Sequence, residues 1–170
     1  MKKILTLLLI TVILHSCRTT NELSTVVMVP RSTQVSKVLD DFTREESKFM
    51  DLKNCFVYFR TNKLGDEIRI GAVEKEITLM FLKETNDKLV GTFEKDGIDF
   101  LIFGKKANKY FYPRNTRMNT TYSKYNQIIT KSKRESEVDI VFSIEPIVWI
   151  YKNERDSIKF VEKGRLILID

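Results

Sequence analysis

Between positions 105 and 124 the chain carries its most chemically suggestive pattern. Lys105, Lys106, Lys109, Arg114, Arg117 and Lys124 are cations, and Tyr110 and Tyr112 stand among them as ring-bearing neighbours. They belong to a stretch, 105–134, that holds nine basic residues and no acidic one. Phe111, Tyr122 and Tyr125 add further rings. Cations interleaved with aromatic faces suit an anionic, flat-faced partner, the charges supplying attraction and the rings supplying stacking or interfacial anchoring. The chemistry expected of these eight residues is therefore binding of an anion.

Catalytic chemistry is poorly represented. The single histidine is His15, in a leader segment described below. Without it, Ser-His-Asp and Cys-His catalysis and every histidine-containing zinc set are excluded. Of the two cysteines, Cys17 and Cys55, the second lies in an apolar stretch and reads as a buried small hydrophobe. The glycines make neither a dinucleotide fingerprint nor a phosphate-binding loop, since Gly104-Lys105-Lys106 lacks the upstream glycine and the hydroxyl. Carboxylate pairs remain: Asp96 with Asp99, Glu137 with Asp139, and Glu74 with Glu76. A glycosidase needs two carboxyls about 5–9 Å apart across a sugar cleft. Turn and strand-surface positions make these six solubilising residues instead. No metal and no cofactor is expected.

The N-terminus supplies an address. Lys2 and Lys3 precede an apolar run from Ile4 to Leu14, broken only by Thr6 and Thr11, and polar residues follow from Arg18. This is the charge and hydropathy pattern of a secretory signal; crossing about 30 Å of hydrocarbon takes roughly 20 apolar residues, and this run is shorter. Leu14-His15-Ser16-Cys17 resembles the lipobox of bacterial lipoproteins, with His15 bulkier than the residue usual at its position. The resemblance implies cleavage before Cys17, a diacylglycerol on its sulfur and an acylated amine, which together anchor stably where one chain is marginal. No acidic run follows Cys17, and Arg18 is not the aspartate of an inner-membrane signal. The resemblance therefore implies the periplasmic face of the outer membrane. Residues 1–16 read as signal peptide, 17–24 as lipidated cysteine and short tether, and 25–170 as one globular domain. Removing Lys2 and Lys3 leaves 27 basic and 23 acidic residues.

The elements that must position the cations follow from periodicity. Val35, Val38, Leu39, Phe42 and Phe49 recur mostly at helical spacing and predict an amphipathic helix over about 35–50, capped by Ser32 or Thr33. From Asn54 the period changes to two. Strands are predicted at 25–29, 55–60, 67–73, 77–83, 88–94, 98–103, 138–145, 147–151, 158–161 and 165–169, with Asp96-Gly97 as a hairpin turn and Lys163-Gly164 as another. Pro113 to Thr121 has no period and reads as a long loop. The expected fold is mainly β (α+β): one N-terminal helix packed on an antiparallel meander of about eight to ten strands, as a sandwich or barrel.

The expected function is that of a non-catalytic, membrane-anchored envelope lipoprotein. Its basic aromatic loop would bind an anionic lipid, a charged glycan or an envelope protein, and export argues against nucleic acid. A helix followed by a meander is also similar in outline to lipocalin-like carriers of small apolar ligands, although no Gly-x-Trp motif opens the domain and the one tryptophan is Trp149. A carboxylate-dependent glycan hydrolase is the remaining alternative.

Overall fold

The computed structural model describes residues 24–63, 65–74, 78, 89–134, 147–154 and 157–165. The expected leader, Cys17, most of the tether, the strands at 77–83 (Thr78 apart) and 138–145, and the expected last strand beyond Arg165 lie outside the described residues.

The β-branched run Thr25 to Val29 forms β1 (Ser24–Pro30). The Ser32 hydroxyl accepts from the Val35 amide and caps α1 (Thr33–Glu46). Val35, Val38, Leu39 and Phe42 are its buried face. Phe49, expected on the same stripe, lies beyond the helix end and is 76% exposed. Next come β2 (Asn54–Asn62), β3 (Gly65–Ala72), β4 (Leu89–Lys95) and β5 (Ile98–Phe103). A short helix, α2 (Ala107–Tyr110), leads into β6 (Phe111–Met118), followed by α3 (Thr120–Arg134), β7 (Ile147–Glu154) and β8 (Ser157–Arg165).

All eight strands join one sheet in the order β6-β1-β4-β5-β2-β3-β7-β8. Among the described residues it is neither a two-sheet sandwich nor a closed barrel: β6 and β8 are its outermost described strands. Nor is it a simple antiparallel meander, because β1 pairs parallel with β4, and β2 parallel with β5. The reason is visible in the central strands. Phe56 to Phe59 and Phe100 to Phe103 are buried without a break, so alternate side chains enter the protein on both faces. Parallel strands occur where both faces are covered. On one face, Cys55, Val57, Phe59, Phe100 and Ile102 pack with Val35, Val38, Leu39 and Phe42 of α1. On the other, Phe56, Tyr58, Leu101 and Phe103 pack with Tyr125 and Ile128 of α3.

Two further expectations are corrected. The segment 113–121 is not a loop: it is most of β6 and the start of α3. β6 pairs with β1 from Ser24↔Met118 to Pro30↔Phe111, with Arg114 as the extra residue of a bulge. An edge strand whose side chains meet water on both faces needs no alternation, and it tolerates Pro113. Lys163-Gly164 is likewise not a turn, because β8 runs through it opposite β7.

The β1–β6 ribbon joins the sheet narrowly. The register of β1 with β4 is the single pair Val27↔Thr92. There Gly91 lets the backbones close in: a Cβ on it would stand 2.5 Å from the Val26 carbonyl oxygen and 2.6 Å from Met28 Cγ. Gly91→Ala should therefore cost about 2 kcal/mol or more in urea unfolding, as overpacking against backbone does. Gly97→Asn is the control. Gly97 has a positive φ but open space around it, and asparagine tolerates that conformation. Equal midpoints for Gly91→Ala and wild type would show that the crossing is looser than described.

Candidate anion-binding surface

The basic stretch is built outward from Gly104. Its φ is +97, and a Cβ there would lie 2.4 Å from the Phe59 carbonyl oxygen, so only glycine fits. The chain reverses, the Ala107 amide returns to the Gly104 carbonyl at 3.1 Å, and Lys105 and Lys106 point outward. Both are exposed and have no acidic partner among the described residues.

Lys109 and Tyr110 have a different task. Lys109 Nζ is 2.7 Å from Asp66 Oδ2, and the Tyr110 hydroxyl donates to the same oxygen at 3.1 Å. Thr61 Oγ1 donates to Asp66 Oδ1 at 2.8 Å, and Asn153 Nδ2 donates to the Tyr110 hydroxyl at 3.1 Å. The Tyr110 ring is buried and stacks on Phe59 at 4.9 Å. These contacts fasten α2 to the β2–β3 hairpin and to β7. The Lys109 ammonium, with smaller help from the Thr61 and Tyr110 hydroxyls, holds the Asp66 carboxyl below the usual carboxylate range. Burial raises the Tyr110 phenol. Lys109 is raised by the same bond to Asp66.

Arg117 is also structural. Its guanidinium pairs with Asp99 and, at 3.2 Å, with Glu94 Oε2, tying β6 to β5 and β4. Lys124 is exposed on α3, outside the 105–114 segment.

Tyr112 and Arg114 remain on the exposed edge strand, and the structure adds a residue that the sequence did not single out. Arg31 follows Pro30, which pairs with Phe111. Its Nε donates to the carbonyls of Asn108 at 2.8 Å and Phe111 at 3.0 Å, and its guanidinium carbon sits 5.7 Å from the centre of the Tyr112 ring. Only the pairing of β1 with β6 brings Arg31 here, and no local sequence signal announces that pairing. Of the eight predicted residues, Lys105, Lys106, Tyr112 and Arg114 thus keep exposed side chains within one short segment, and Arg31 packs against Tyr112. Lys109, Tyr110 and Arg117 are committed to internal contacts.

The catalytic candidates gain nothing. Asp99 is taken by Arg117, Asp96 sits in a turn at a φ of 52, and Glu74 is exposed. Glu76, Glu137 and Asp139 lie outside the described residues. Cys55 is fully buried, and burial pushes its thiol up to about 12, far from a thiolate at neutral pH. Among the described residues, no group of three or more His, Cys, Asp or Glu side chains is placed to hold a metal. No described helix is long and apolar enough to cross a membrane. No family model, curated protein or solved structure matches the chain.

The Asp66 cluster has a pH signature. Its carboxyl has a lower pKa folded than unfolded, so the stability it contributes is present above about pH 4, the ordinary value, and is lost as pH falls through the lower folded value. Asp66→Asn should flatten the dependence of the urea midpoint on pH in that acid range. The same acid slope in both proteins would remove the Lys109 pair from the account.

Proposed function

We propose that this chain is a lipid-anchored binding module of the bacterial envelope. It holds an anionic surface component, a lipid head group or charged glycan, against the corner formed by Arg31, Lys105, Lys106, Tyr112 and Arg114. The observation that carries this reading is the Arg31 guanidinium stacked on the Tyr112 ring. Three further cations of the same 105–114 segment, Lys105, Lys106 and Arg114, are exposed and have no acidic partner among the described residues.

Cys17 would carry the lipid. The six residues between it and β1, seven peptide steps from Cys17 to Ser24, reach at most about 25 Å, which keeps the domain close to the leaflet, on the periplasmic face of the outer membrane. Each cation near an anionic surface adds about 1 kcal/mol, and the Debye length of about 8 Å at physiological salt lets such a corner act only at short range. No catalytic step and no cofactor belongs to this reading.

The test titrates unlipidated residues 18–170 against vesicles of neutral lipid, anionic lipid and lipopolysaccharide at low and high salt. The comparison protein carries Arg31→Gln, Lys105→Gln, Lys106→Gln and Arg114→Gln, which leaves Lys109 and Arg117 in their structural pairs. Binding should require an anionic surface, weaken with salt and fall about a thousandfold in the quadruple variant, as the loss of four such contacts at about 1 kcal/mol each implies. Equal affinity for neutral vesicles, or an unaffected variant, would refute the reading.

A further inference from the structure

Arg31 differs from the other cations of the corner because the fold sets its orientation. Its backbone amide donates to the Tyr110 carbonyl at 2.8 Å, and its Nε donates to the carbonyls of Asn108 at 2.8 Å and Phe111 at 3.0 Å. These carbonyls lie at the end of α2, where a helix leaves acceptors unmatched and a basic side chain can satisfy them. The guanidinium carbon lies over the Tyr112 ring, 5.7 Å from its centre and within cation–π range. The inner edge of the guanidinium and one flank are thus engaged by the protein itself.

Nη1 and Nη2 are left, and they carry all the guanidinium's N–H donors except the one on Nε. Arg31 is exposed, and neither atom has a hydrogen-bond partner among the described residues. With Nε taken, the side-on fork of Nε and one Nη is closed. The end-on fork of Nη1 and Nη2 is open, and it matches two oxygens carried on one carbon or phosphorus. A lysine offers a point charge without that geometry. A flexible surface arginine loses rotamer freedom when it takes a ligand, whereas Arg31 loses it on folding.

Charge selects between the two oxyanions. The stretch 105–134 holds no acidic residue. Lys106 stands two residues before Asn108, at most about 8 Å away along the backbone, and it is exposed without an acidic partner among the described residues. A carboxylate brings one negative charge and two oxygens. A phosphomonoester brings nearly two charges at neutral pH and a third oxygen for a second cation. We infer that Arg31 is the specificity-determining residue of the corner and that the group it takes end-on is a phosphomonoester. The inference rests on the anion-binding reading of the corner and names the group recognised there. A lipid head group and a free organic phosphate share this chemistry.

The experiment follows the Arg31 Nε–H resonance by NMR in the full chain, at constant ionic strength and at about pH 7.5, above the second ionisation of a monoester. The monoester probes are glycerol 3-phosphate and monomeric dihexanoyl phosphatidic acid. Dimethyl phosphate and acetate are the singly charged controls. Arg31→Lys keeps the charge and removes the fork. Lys105→Gln removes a charge and keeps the fork. Tyr112→Leu keeps both and removes the ring. Binding to Arg31→Lys is read from the backbone amides of Asn108 and Tyr112, and thermal midpoints confirm that each variant is folded.

Wild type should bind a monoester at least about tenfold tighter than either control, and Arg31→Lys should lose at least about tenfold at unchanged net charge. Tyr112→Leu should weaken binding severalfold, and Lys105→Gln less than Arg31→Lys does. Saturation by glycerol 3-phosphate identifies a free phosphate, and saturation by the phosphatidic acid alone identifies a lipid head group. Equal affinity for monoester and controls overturns the inference, with no variant needed. So does wild-type binding by Arg31→Lys, or no saturation by any probe up to about 10 mM. If anionic vesicles still bind in any of these cases, the corner acts by its field alone and only the assignment to Arg31 falls. If they do not bind, the anion-binding reading falls with it.

Discussion

Two neighbouring strands, β2 and β5, must be kept out of water on both faces, and the architecture is arranged around that constraint. Their residues from Phe56 to Phe59 and from Phe100 to Phe103 run side by side in parallel register. Four of these eight are phenylalanines, and burying one such side chain is worth about 1.5–3 kcal/mol. A single layer of helix covers one face only. The chain therefore needs α1 on one side and α3 on the other, with crossovers long enough to return strands in the same direction. α1 is held across its sheet face at its middle and at its C-terminal end. Asp40 pairs with Lys95 at the end of β4, and Glu46 accepts from Trp149 Nε1 at 2.7 Å and Lys163 Nζ at 2.6 Å.

The same constraint divides the cations between tasks. A sheet of this width needs its edge ribbon secured, and β1 meets β4 through one register pair. Arg117 supplements that pair with two carboxylates on two strands, and Lys109 does the equivalent for α2 through Asp66. Partly buried ion pairs with several hydrogen bonds locate elements more than they stabilise them. A run that looks uniform as a string of charges thus separates into cations that hold the fold and cations that face the solvent.

Much of this was legible in the sequence, and the omissions have physical causes. Period-two alternation placed β2, β3, β4, β5 and β7 because each has at least one buried face. Helical spacing placed α1 because its buried stripe is apolar. Cys55 was readable as a core residue from its neighbours. By contrast, β6 was unreadable because its pairing with β1 is made by backbone groups and its side chains meet water. α3 was unreadable because, among its described side chains, Tyr125 and Ile128 are the ones packed on the sheet, set among polar residues. The parallel pairings were unreadable because partners such as Val57 and Ile102 are joined through long connections, and nothing local specifies which strands return side by side. Arg31 reaches Tyr112 only after β1 and β6 are paired.

The exposed corner and the buried Arg69–Glu67 pair of β3 differ in the physics that governs them. The corner is exposed, so its field is screened within about a Debye length, and it suits a reversible hold on an extended charged surface. Arg69 and Glu67, by contrast, are buried. There a charge–charge contact is screened much less, and an unpaired donor costs more than a made bond gains. An exposed basic corner is common and tolerates substitution of any single lysine, because the field is a sum.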